Sequence, residues 1–191
     1  ALRVSEGDRV FDLCSAPGGK AFTASQYAGK TGEILAFDIY ANRVALIRKG
    51  AERLNLDNIK AIQADASVFN DELGSADRVL CDVPCSGFGI IGKKPEIKYK
   101  SESEAKEIEK LQYPILKNGA RYVKKGGLLL YSTCTLSKAE NEDVCSKFLK
   151  EHKNFVSIKP LPEITDEYFI TLMPHKNETD GFFIALFERT E

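Results

Sequence analysis

Short β-branched and aliphatic runs alternate along this chain with stretches of helical periodicity, and this alternation restricts the fold more than any other feature. Strands buried on both faces, as in a parallel sheet, are predicted at 9–13, 33–38, 59–65, 77–82 and 127–133. Helices are predicted at 41–56, 101–125 and 139–152. Pro114 is expected to kink the second of these helices or to split it in two. This order of elements predicts an α/β fold with a mostly parallel sheet and right-handed crossovers.

The stretch from 168 to 189 follows a different pattern, because two strands joined by a polar turn are predicted there. We expect them to form an antiparallel hairpin at one edge of the sheet. The chain has 191 residues, 43% of them hydrophobic and 29% charged, which predicts one globular domain over residues 1–191. No apolar run approaches the roughly 20 residues needed to cross a bilayer. We therefore expect a cytoplasmic protein, and a monomer.

The cysteines divide into two groups by their place in the predicted elements. Five cysteines without regular spacing argue against a disulfide framework and favour a reducing compartment. Cys81, inside a predicted strand, and Cys145, on an apolar helix face, are expected to be buried as small hydrophobic side chains. Cys85 and Cys134 instead follow the fourth and fifth predicted strands. If those strands are neighbours, the two thiols face the same pocket.

Acidic side chains mark one edge of the predicted sheet, the edge formed by the carboxyl ends of the strands. Aspartates end four of the predicted strands, at Asp12, Asp38, Asp65 and Asp82. Ligands of open α/β sheets bind outside this edge. Asp38 is placed to accept ribose hydroxyl groups, and Asp65 to meet an adenine edge. Each acid taken singly could be a helix cap or a turn residue, but their joint placement favours a nucleotide-like ligand.

The sequence CSAPGGK, from Cys14 to Lys20, predicts a turn between the first strand and a helix. Gly18 and Gly19 let the backbone approach a ligand, and the helix that follows offers unpaired amides. The turn lacks the first glycine and the Ser or Thr of a phosphate-binding Walker loop, and it does not match G-x-G-x-x-G. A loop with few glycines suits a ligand without pyrophosphate, such as S-adenosylmethionine.

Two cysteines beside a methyl donor raise three possibilities: zinc ligation, a redox pair or nucleophilic catalysis. His152 and His175 stand in no ligand pattern and no Cys-x-x-Cys is present, so we expect no metal and no redox motif. Carbon 5 of cytosine becomes nucleophilic once a thiolate adds to carbon 6, which gives a cysteine a role. A carboxyl group near ring nitrogen 3 would stabilise the developing charge, and Asp82 is the candidate.

The motifs DLCSAPGGKA, DxxxxR at 38–43, QADAS, DVPCSG and YSTCT follow one another at intervals that closely resemble the RsmB/Nol/Sun family of RNA cytosine-5 methyltransferases. The resemblance covers nearly the whole chain, from about residue 4 to DGFFIALFER. It implies a Rossmann-like methyltransferase fold and S-adenosylmethionine as cofactor. It also implies that Cys134 in TCT is the nucleophile and that Cys85 in PCSG helps to release the methylated RNA. It implies further that Asp82 completes the active site.

The same resemblance implies which residues contact the cofactor. They are Cys14, Ser15, Ala16, Pro17, Gly18, Gly19, Lys20, Asp38, Arg43, Asp65 and Asp82. DNA cytosine methyltransferases carry their nucleophile in a Pro-Cys motif, which by analogy would select Cys85. The presence of Cys134 favours the RNA arrangement.

The stretch GFGIIGKKPEIKYK, at 87–100, particularly resembles the RsmB branch, which implies small-subunit ribosomal RNA as the partner. Candidate phosphate contacts in this stretch are Lys93, Lys94, Lys98 and Lys100. The net charge of −1 is modest for a nucleic-acid binder. RsmB-type proteins carry a helical RNA-binding domain ahead of the catalytic one, and nothing in this sequence corresponds to it.

Other interpretations remain open at this point. The same chemistry could act on transfer RNA or large-subunit ribosomal RNA, or the chain could be a non-catalytic RNA module that binds S-adenosylmethionine. A small-molecule or protein methyltransferase would need no covalent cysteine. The target base is expected to be single-stranded or flipped. Phe88, Tyr99 and Tyr131 are candidate stacking surfaces, although we expect two of the three to lie in the core.

Overall fold

The fold was analysed in a computed structural model that describes all 191 residues apart from the side chain of Glu102. Its strands are β1 Arg9–Asp12, β2 Glu33–Asp38, β3 Ile59–Gln63, β4 Ala76–Asp82, β5 Val123–Thr133, β6 Phe155–Ile158, β7 Phe169–Leu172 and β8 Phe182–Arg189. Its helices are α1 Gly19–Ala28, α2 Ala41–Arg53, α3 Glu102–Tyr122, α4 Glu142–Glu151 and the short α5 Pro174–Asn177. Together they confirm the predicted α/β fold.

The strands form one mixed sheet in the order β3-β2-β1-β4-β5-β8-β6, with β7 also paired to β8. Strands β1 to β5 are parallel to one another, whereas β8 runs antiparallel to β5, β6 and β7. The parallel register places the ends of β1, β2 and β4 side by side, since Asp12 pairs with Ala36 and with Leu80. The sheet therefore has a common carboxyl edge, as the sequence predicts.

Successive side chains of each central strand enter different cores, because strand residues alternate between the two faces of a sheet. The larger core lies under α3 and α4 and includes Phe11, Leu35, Val79, Leu129, Phe187, Leu116 and Phe148. The smaller core lies under α1 and α2 and includes Val10, Ile34, Ala36, Ala21, Ala24 and Ile47. Each fully buried large side chain contributes about 1.5–3 kcal/mol. Both faces of the central strands are thus apolar, which explains their continuous hydrophobic runs.

An apolar groove lies beside the smaller core, on the same face of the sheet. Leu80, Leu128 and Leu130 form a separate cluster over β4 and β5, and Leu2 packs against it. The groove has a volume of about 640 Å³ and runs along this cluster toward Lys20 and Ser132. It therefore connects an exposed apolar surface with the carboxyl edge of the sheet.

Helix α3 is continuous from Glu102 to Tyr122, so Pro114 does not split the segment, and the kink given as the alternative stays a prediction. A capping box fixes its start: the Glu104 backbone N–H donates to Ser101 Oγ, and the Ser101 N–H donates to the Glu104 carboxylate. Proline removes only one hydrogen bond from the ladder. Buried residues flank it, with Gln112 before and Leu116 after, so both halves of the helix are held by packing.

The hairpin at 168–189 forms as predicted, with β7 paired to β8 at one end of the sheet. Strand β8 lies next to β5, and both β6 and β7 pair with its other side. Strand β6 was not predicted, because its four residues carry little periodicity. It pairs with the end of β8 through Phe155 and Arg189, whereas β7 pairs with the start of β8. In the part of the chain described, no helix is long and apolar enough to span a membrane.

Candidate active site

The glycine-rich loop between β1 and α1 is held against the carboxyl edge by backbone hydrogen bonds. The N–H of Leu13 donates to the Leu80 carbonyl and the N–H of Ser15 to the Phe37 carbonyl, at 2.9 and 2.8 Å. Gly18 adopts φ +113°, and a Cβ there would lie 2.3 Å from the Phe22 ring. Only glycine fits at this position. The loop therefore presents its backbone between β1 and β2, and α1 begins directly behind it.

Asp38 and Arg43 link the end of β2 to the glycine-rich loop. The Asp38 carboxylate is buried, accepts a hydrogen bond from the Tyr40 N–H at 3.0 Å and lies 3.0 Å from Arg43 Nη1. Arg43 Nη2 donates to the Ala16 carbonyl at 2.8 Å. The two residues are thus brought together with the loop, and the ion pair fixes the carboxylate at the edge where a ribose would bind.

Asp12 is a functional candidate that the sequence reasoning placed at the edge but gave no role. Its side chain is 1% exposed, and neither carboxylate oxygen has a hydrogen-bond partner among the described groups. Burial raises the pKa of Asp12 to about 7. Ser15 Oγ in the loop is also buried without a partner. Such unpaired groups fit a polar ligand, and the ammonium of an amino-acid moiety would pair with the carboxylate.

Asp65 lies two residues beyond β3, on the same edge. Its Oδ1 accepts hydrogen bonds from the Ser67 N–H and Ser67 Oγ, at 2.8 and 2.7 Å. Oδ1 of this exposed side chain thus stabilises the turn after β3, while neither of these two hydrogen bonds uses Oδ2. The predicted contact with adenine stays a prediction.

Asp82 ends β4 and is bonded through both carboxylate oxygens. Oδ2 lies 2.6 Å from Lys20 Nζ, and Oδ1 accepts a hydrogen bond from Ser132 Oγ at 2.7 Å. The lysine comes from the first turn of α1, so the ion pair joins the glycine-rich loop to β4 and β5. Lys20 Nζ also lies 5.5 Å from the centre of the Phe182 ring. The ammonium group is therefore held by Asp82, close enough to Cys134 to favour its thiolate.

Cys85 and Cys134 lie in contact, as expected for residues that follow neighbouring strands. Their Sγ atoms are 3.1 Å apart, and the Cys134 N–H donates to Cys85 Sγ at 3.3 Å. The hydrogen bond from the Cys85 thiol lowers the pKa of Cys134 to about 7, with a smaller contribution from Lys20. The same bond raises the pKa of Cys85. The pair therefore favours one thiolate, on Cys134, held by one thiol.

The other three cysteines do not belong to this thiol pair and have different roles. Cys81 and Cys145 are fully buried in the larger core, which confirms the prediction that they are packing residues. Cys14 lies in the glycine-rich loop, and burial raises the pKa of its thiol. None of these three is set up as a thiolate at neutral pH.

Two glycines that the sequence reasoning did not single out join the cysteine loops to the hairpin. The Gly89 N–H donates to the Cys134 carbonyl at 2.9 Å, and the Gly181 N–H donates to the Gly89 carbonyl at 2.8 Å. A Cβ at Gly89 would lie 2.2 Å from the Gly181 oxygen. Both residues must be glycine for the backbones to approach this closely.

The lysines predicted to contact RNA are placed differently from one another. Lys100 Nζ donates to the Ser86 carbonyl at 2.8 Å, and Lys93 pairs with Asp180 at 2.6 Å. Lys94 and Lys98 are exposed. All four stay candidates for phosphate contact, with Lys100 also supporting the loop that carries Cys85.

Aromatic side chains near the cysteines differ in exposure. Tyr131 is fully buried and donates its hydroxyl hydrogen to the Glu140 carbonyl, so it is no stacking surface. Tyr99 and Phe88 are 88% and 38% exposed. The expectation that two of the three lie in the core is therefore wrong. The reason is that Phe88 and Tyr99 belong to short 3-10 turns that lie outside the sheet.

The sheet order, the glycine-rich loop and the acids along the carboxyl edge define a Rossmann-like S-adenosylmethionine-dependent methyltransferase. The chain belongs to the family described as 16S rRNA methyltransferase RsmB/F, whose sequence pattern matches residues 1–188. The resemblance to the RsmB/Nol/Sun family is thereby confirmed.

Individual relatives agree with this assignment. The chain is 39% identical to a probable ribosomal RNA small subunit methyltransferase B of Bacillus subtilis, over 97% of this chain and 44% of that protein. The crystal structure of PH0851 superposes with a TM-score of 0.91 at 35% identity, over 98% of this chain and 44% of the other. NSun6 from Pyrococcus horikoshii with SFG gives a TM-score of 0.85 at 29% identity, over 100% of this chain and 50% of the other. The chain thus spans about half the length of these proteins or less.

Proposed function

We propose that residues 1–191 form the catalytic domain of an enzyme that transfers a methyl group from S-adenosylmethionine to carbon 5 of a cytidine in RNA. The observation that carries this proposal is the contact of Cys85 and Cys134 at 3.1 Å, beside the Asp82–Lys20 ion pair. Membership of the RsmB/F family supports small-subunit ribosomal RNA as the substrate and the cytoplasm as the compartment.

Cys134 is the nucleophile in this proposal. Its lowered pKa makes the thiolate available near neutral pH, and the thiolate is the reactive form. Lys20 stabilises the same charge from the side of α1. The Cys134 thiolate forms a bond to carbon 6, and the electron pair of the 5,6 double bond then makes carbon 5 nucleophilic. The Asp82 carboxylate would accept a hydrogen bond from the exocyclic amine of the base, and its Lys20 partner would counter the negative charge that develops near ring nitrogen 3.

When bound, S-adenosylmethionine supplies the electrophilic methyl group that carbon 5 takes up. Asp38, held by Arg43, would accept the ribose hydroxyls, and Asp65 would meet the adenine. Asp12 would pair with the ammonium of the amino-acid moiety, next to the amides of the loop from Cys14 to Lys20. A relative of known structure supports this choice of cofactor, because NSun6 from Pyrococcus horikoshii was solved with SFG, an analogue of S-adenosylmethionine.

Cys85 acts second, when the product is released. Its pKa is raised chiefly by the hydrogen bond that it donates to Cys134. That cause disappears once the Cys134 sulfur is bonded to carbon 6, because the sulfur is then neutral. Cys85 can then lose its own proton to solvent and, as a thiolate, remove the proton from carbon 5, directly or through water. The electron pair of that carbon–hydrogen bond restores the double bond, and the Cys134 thiolate leaves.

The test is covalent trapping with RNA that contains 5-fluorocytidine, in the presence of S-adenosylmethionine. Fluorine cannot leave as a proton does, so the adduct at carbon 6 accumulates and is detected on denaturing gels and by mass spectrometry. We expect an adduct on Cys134 that Cys134→Ala abolishes and that the matched variant Cys145→Ala retains. An adduct on Cys85 would reverse the assignment of the nucleophile.

The choice of RNA tests the substrate. Fragments of small-subunit ribosomal RNA are compared with transfer RNA and with large-subunit fragments, at low salt because phosphate contacts weaken as salt rises. Preferential trapping of small-subunit fragments supports the proposed substrate. Binding of both cofactor and RNA without an adduct on either cysteine would refute the proposed chemistry.

A further inference from the structure

We infer that Glu140 is a positioning residue that holds the loops of Cys85 and Cys134 together so that the two thiols stay in contact. The role of this contact in catalysis rests on the proposed function, whereas the geometry of Glu140 does not. Glu140 ends a 3-10 turn, Lys138–Glu140, that follows the loop of Cys134, and its side chain is 0% exposed. A carboxylate in such a place needs a full set of donors.

On the side of Cys85, the carboxylate binds the residue that follows the cysteine. The Ser86 N–H donates to Glu140 Oε2 at 2.8 Å, and Ser86 Oγ donates to Oε1 at 2.5 Å. Two hydrogen bonds to one residue fix both the backbone and the side chain of Ser86. The direction in which the loop presents Cys85 is therefore set from the buried side.

On the side of Cys134, the contacts come from Glu140 and from its neighbour Asn141. Thr135 Oγ1 lies 2.7 Å from Ser86 Oγ and 3.4 Å from Glu140 Oε1. The Asn141 side chain accepts a hydrogen bond from Thr133 Oγ1 at 2.6 Å and donates to the Thr135 carbonyl at 3.0 Å. The residues before and after the nucleophile are thus both fixed by one buried turn.

Helix α3 supplies the last contact. Gln112 Nε2 donates to Glu140 Oε2 at 2.8 Å and to the Pro84 carbonyl at 3.0 Å, and Gln112 is fully buried. Pro84 directly precedes Cys85. Glu140 is therefore the common acceptor for groups on three segments. A carboxylate suits this place because it accepts at both oxygens and donates nowhere.

The experiment measures whether the two thiols stay in contact, without RNA and without cofactor. Phenylarsine oxide reacts with two neighbouring thiols, forming two arsenic–sulfur bonds and releasing water, so its affinity reports their separation. We expect Glu140→Ala to weaken this binding about tenfold or more, as expected when a buried network loses its central acceptor. Glu140→Gln should stay near the wild-type value. Its oxygen can accept from Ser86 and Gln112, while its NH₂ faces hydroxyl groups that can turn to accept.

Two controls separate positioning from general damage. Cys85→Ala must remove tight arsenical binding, which shows that the probe reads this pair. Asn58→Ala breaks a hydrogen-bonded bridge between Ser25 and Gly29 in a different part of the molecule, and it should bind the arsenical as wild type does. Thermal unfolding of all variants shows which of them are folded.

The second readout is the pH midpoint of Cys134 alkylation. It should move in a direction that loss of the Glu140 charge alone cannot produce. Removing a nearby carboxylate by itself lowers the pKa of a thiol. Lost contact with Cys85 raises the pKa of Cys134, because the donor of its hydrogen bond is gone. We therefore expect the pH midpoint of Cys134 alkylation to rise in Glu140→Ala but not in Glu140→Gln.

Ser86→Ala is the milder variant for the case in which Glu140→Ala does not fold. It removes the Ser86 Oγ bonds and keeps the backbone donor, so a smaller loss of arsenical affinity, about threefold, is expected. The inference would be overturned if Glu140→Ala and Ser86→Ala, or whichever of them folds, kept both the arsenical affinity and the pH midpoint of Cys134 alkylation of the wild type. Failure of 5-fluorocytidine trapping in the wild-type protein would instead count against the proposed function alone.

Discussion

Replacing Cys85 by alanine tests the cause of the lowered pKa of Cys134. The Sγ atoms lie 3.1 Å apart, and the hydrogen bond from Cys85 is the largest contribution to the shift of the Cys134 pKa from 9.0 to about 7. Without that donor, burial and the Asp82 charge remain and both raise the pKa. We therefore expect Cys85→Ala to move the pKa of Cys134 back to about 9 or above.

The shift has a measurable size. At pH 7 the thiolate fraction falls from about one half to about one hundredth, a change of about 50-fold. A more basic thiolate is intrinsically more reactive, by about eightfold for a two-unit change at a Brønsted coefficient near 0.45. Alkylation of Cys134 at pH 7 should therefore slow about sixfold. Above about pH 8 the order reverses, and the variant should react faster than the wild type.

The assay is the rate of iodoacetamide labelling of Cys134 from pH 5 to pH 10.5, followed by mass spectrometry of the peptide that contains it. Cys145→Ala is the matched control, since Cys145 is buried in the larger core and touches neither thiol. A midpoint that stays near 7 in Cys85→Ala would show that another group sets the pKa of Cys134. A uniform slowing at every pH would indicate blocked access instead.

Three further substitutions test the other parts of the site. Asp38→Ala should weaken binding of S-adenosylhomocysteine about 100-fold by calorimetry, because a charged acceptor for both ribose hydroxyls is lost; unchanged affinity would contradict the ribose assignment. Asp12 has a folded pKa of about 7, above its unfolded value of 3.8, so the wild type loses stability as pH rises between these values. Urea unfolding of Asp12→Asn should lack that loss, which amounts to about 2–3 kcal/mol between pH 5 and pH 8; equal pH dependence in both proteins would refute the pKa assignment. Gly89→Ala places a Cβ 2.2 Å from a backbone oxygen and should cost about 1–3 kcal/mol and weaken arsenical binding. Gly92→Ala, with nothing within 4 Å, is its control, and similar stability of the two variants would argue against the close contact.

The sequence predicts those parts of the fold and site that follow from local pattern and from the geometry of parallel sheets. Residues that end neighbouring strands must share an edge, so the proximity of Cys85 and Cys134 could be predicted before any coordinates. The link from Asp38 to Arg43 also follows from their short separation in sequence, across the turn from the end of β2 to the first turn of α2. These relations depend on a few residues at a time.

Other features depend on contacts between distant segments, which no local pattern encodes. Glu140 looks like a surface residue of a charged stretch, and only the convergence of Ser86, Gln112 and Thr135 makes it a buried acceptor. The pairing of β6 with β8 joins segments that are distant in sequence, and β6 is a short strand without clear periodicity. Pro114 obeys a rule for isolated helices, but the packing of α3 on the sheet outweighs it.

The interior place of β8 also sets the order in which the site can be assembled during synthesis. Residues 182–189 pair with β5 on one side and with β6 and β7 on the other, and they are made after both cysteine loops. Until they emerge from the ribosome, one edge of β5 has no partner, and Gly181 cannot bond to the loop that holds Cys134 in place. A nascent chain can therefore form the glycine-rich loop early, but the paired thiols last. Ribosome-bound chains stalled before and after this strand would differ in arsenical capture, although both already contain Cys85 and Cys134.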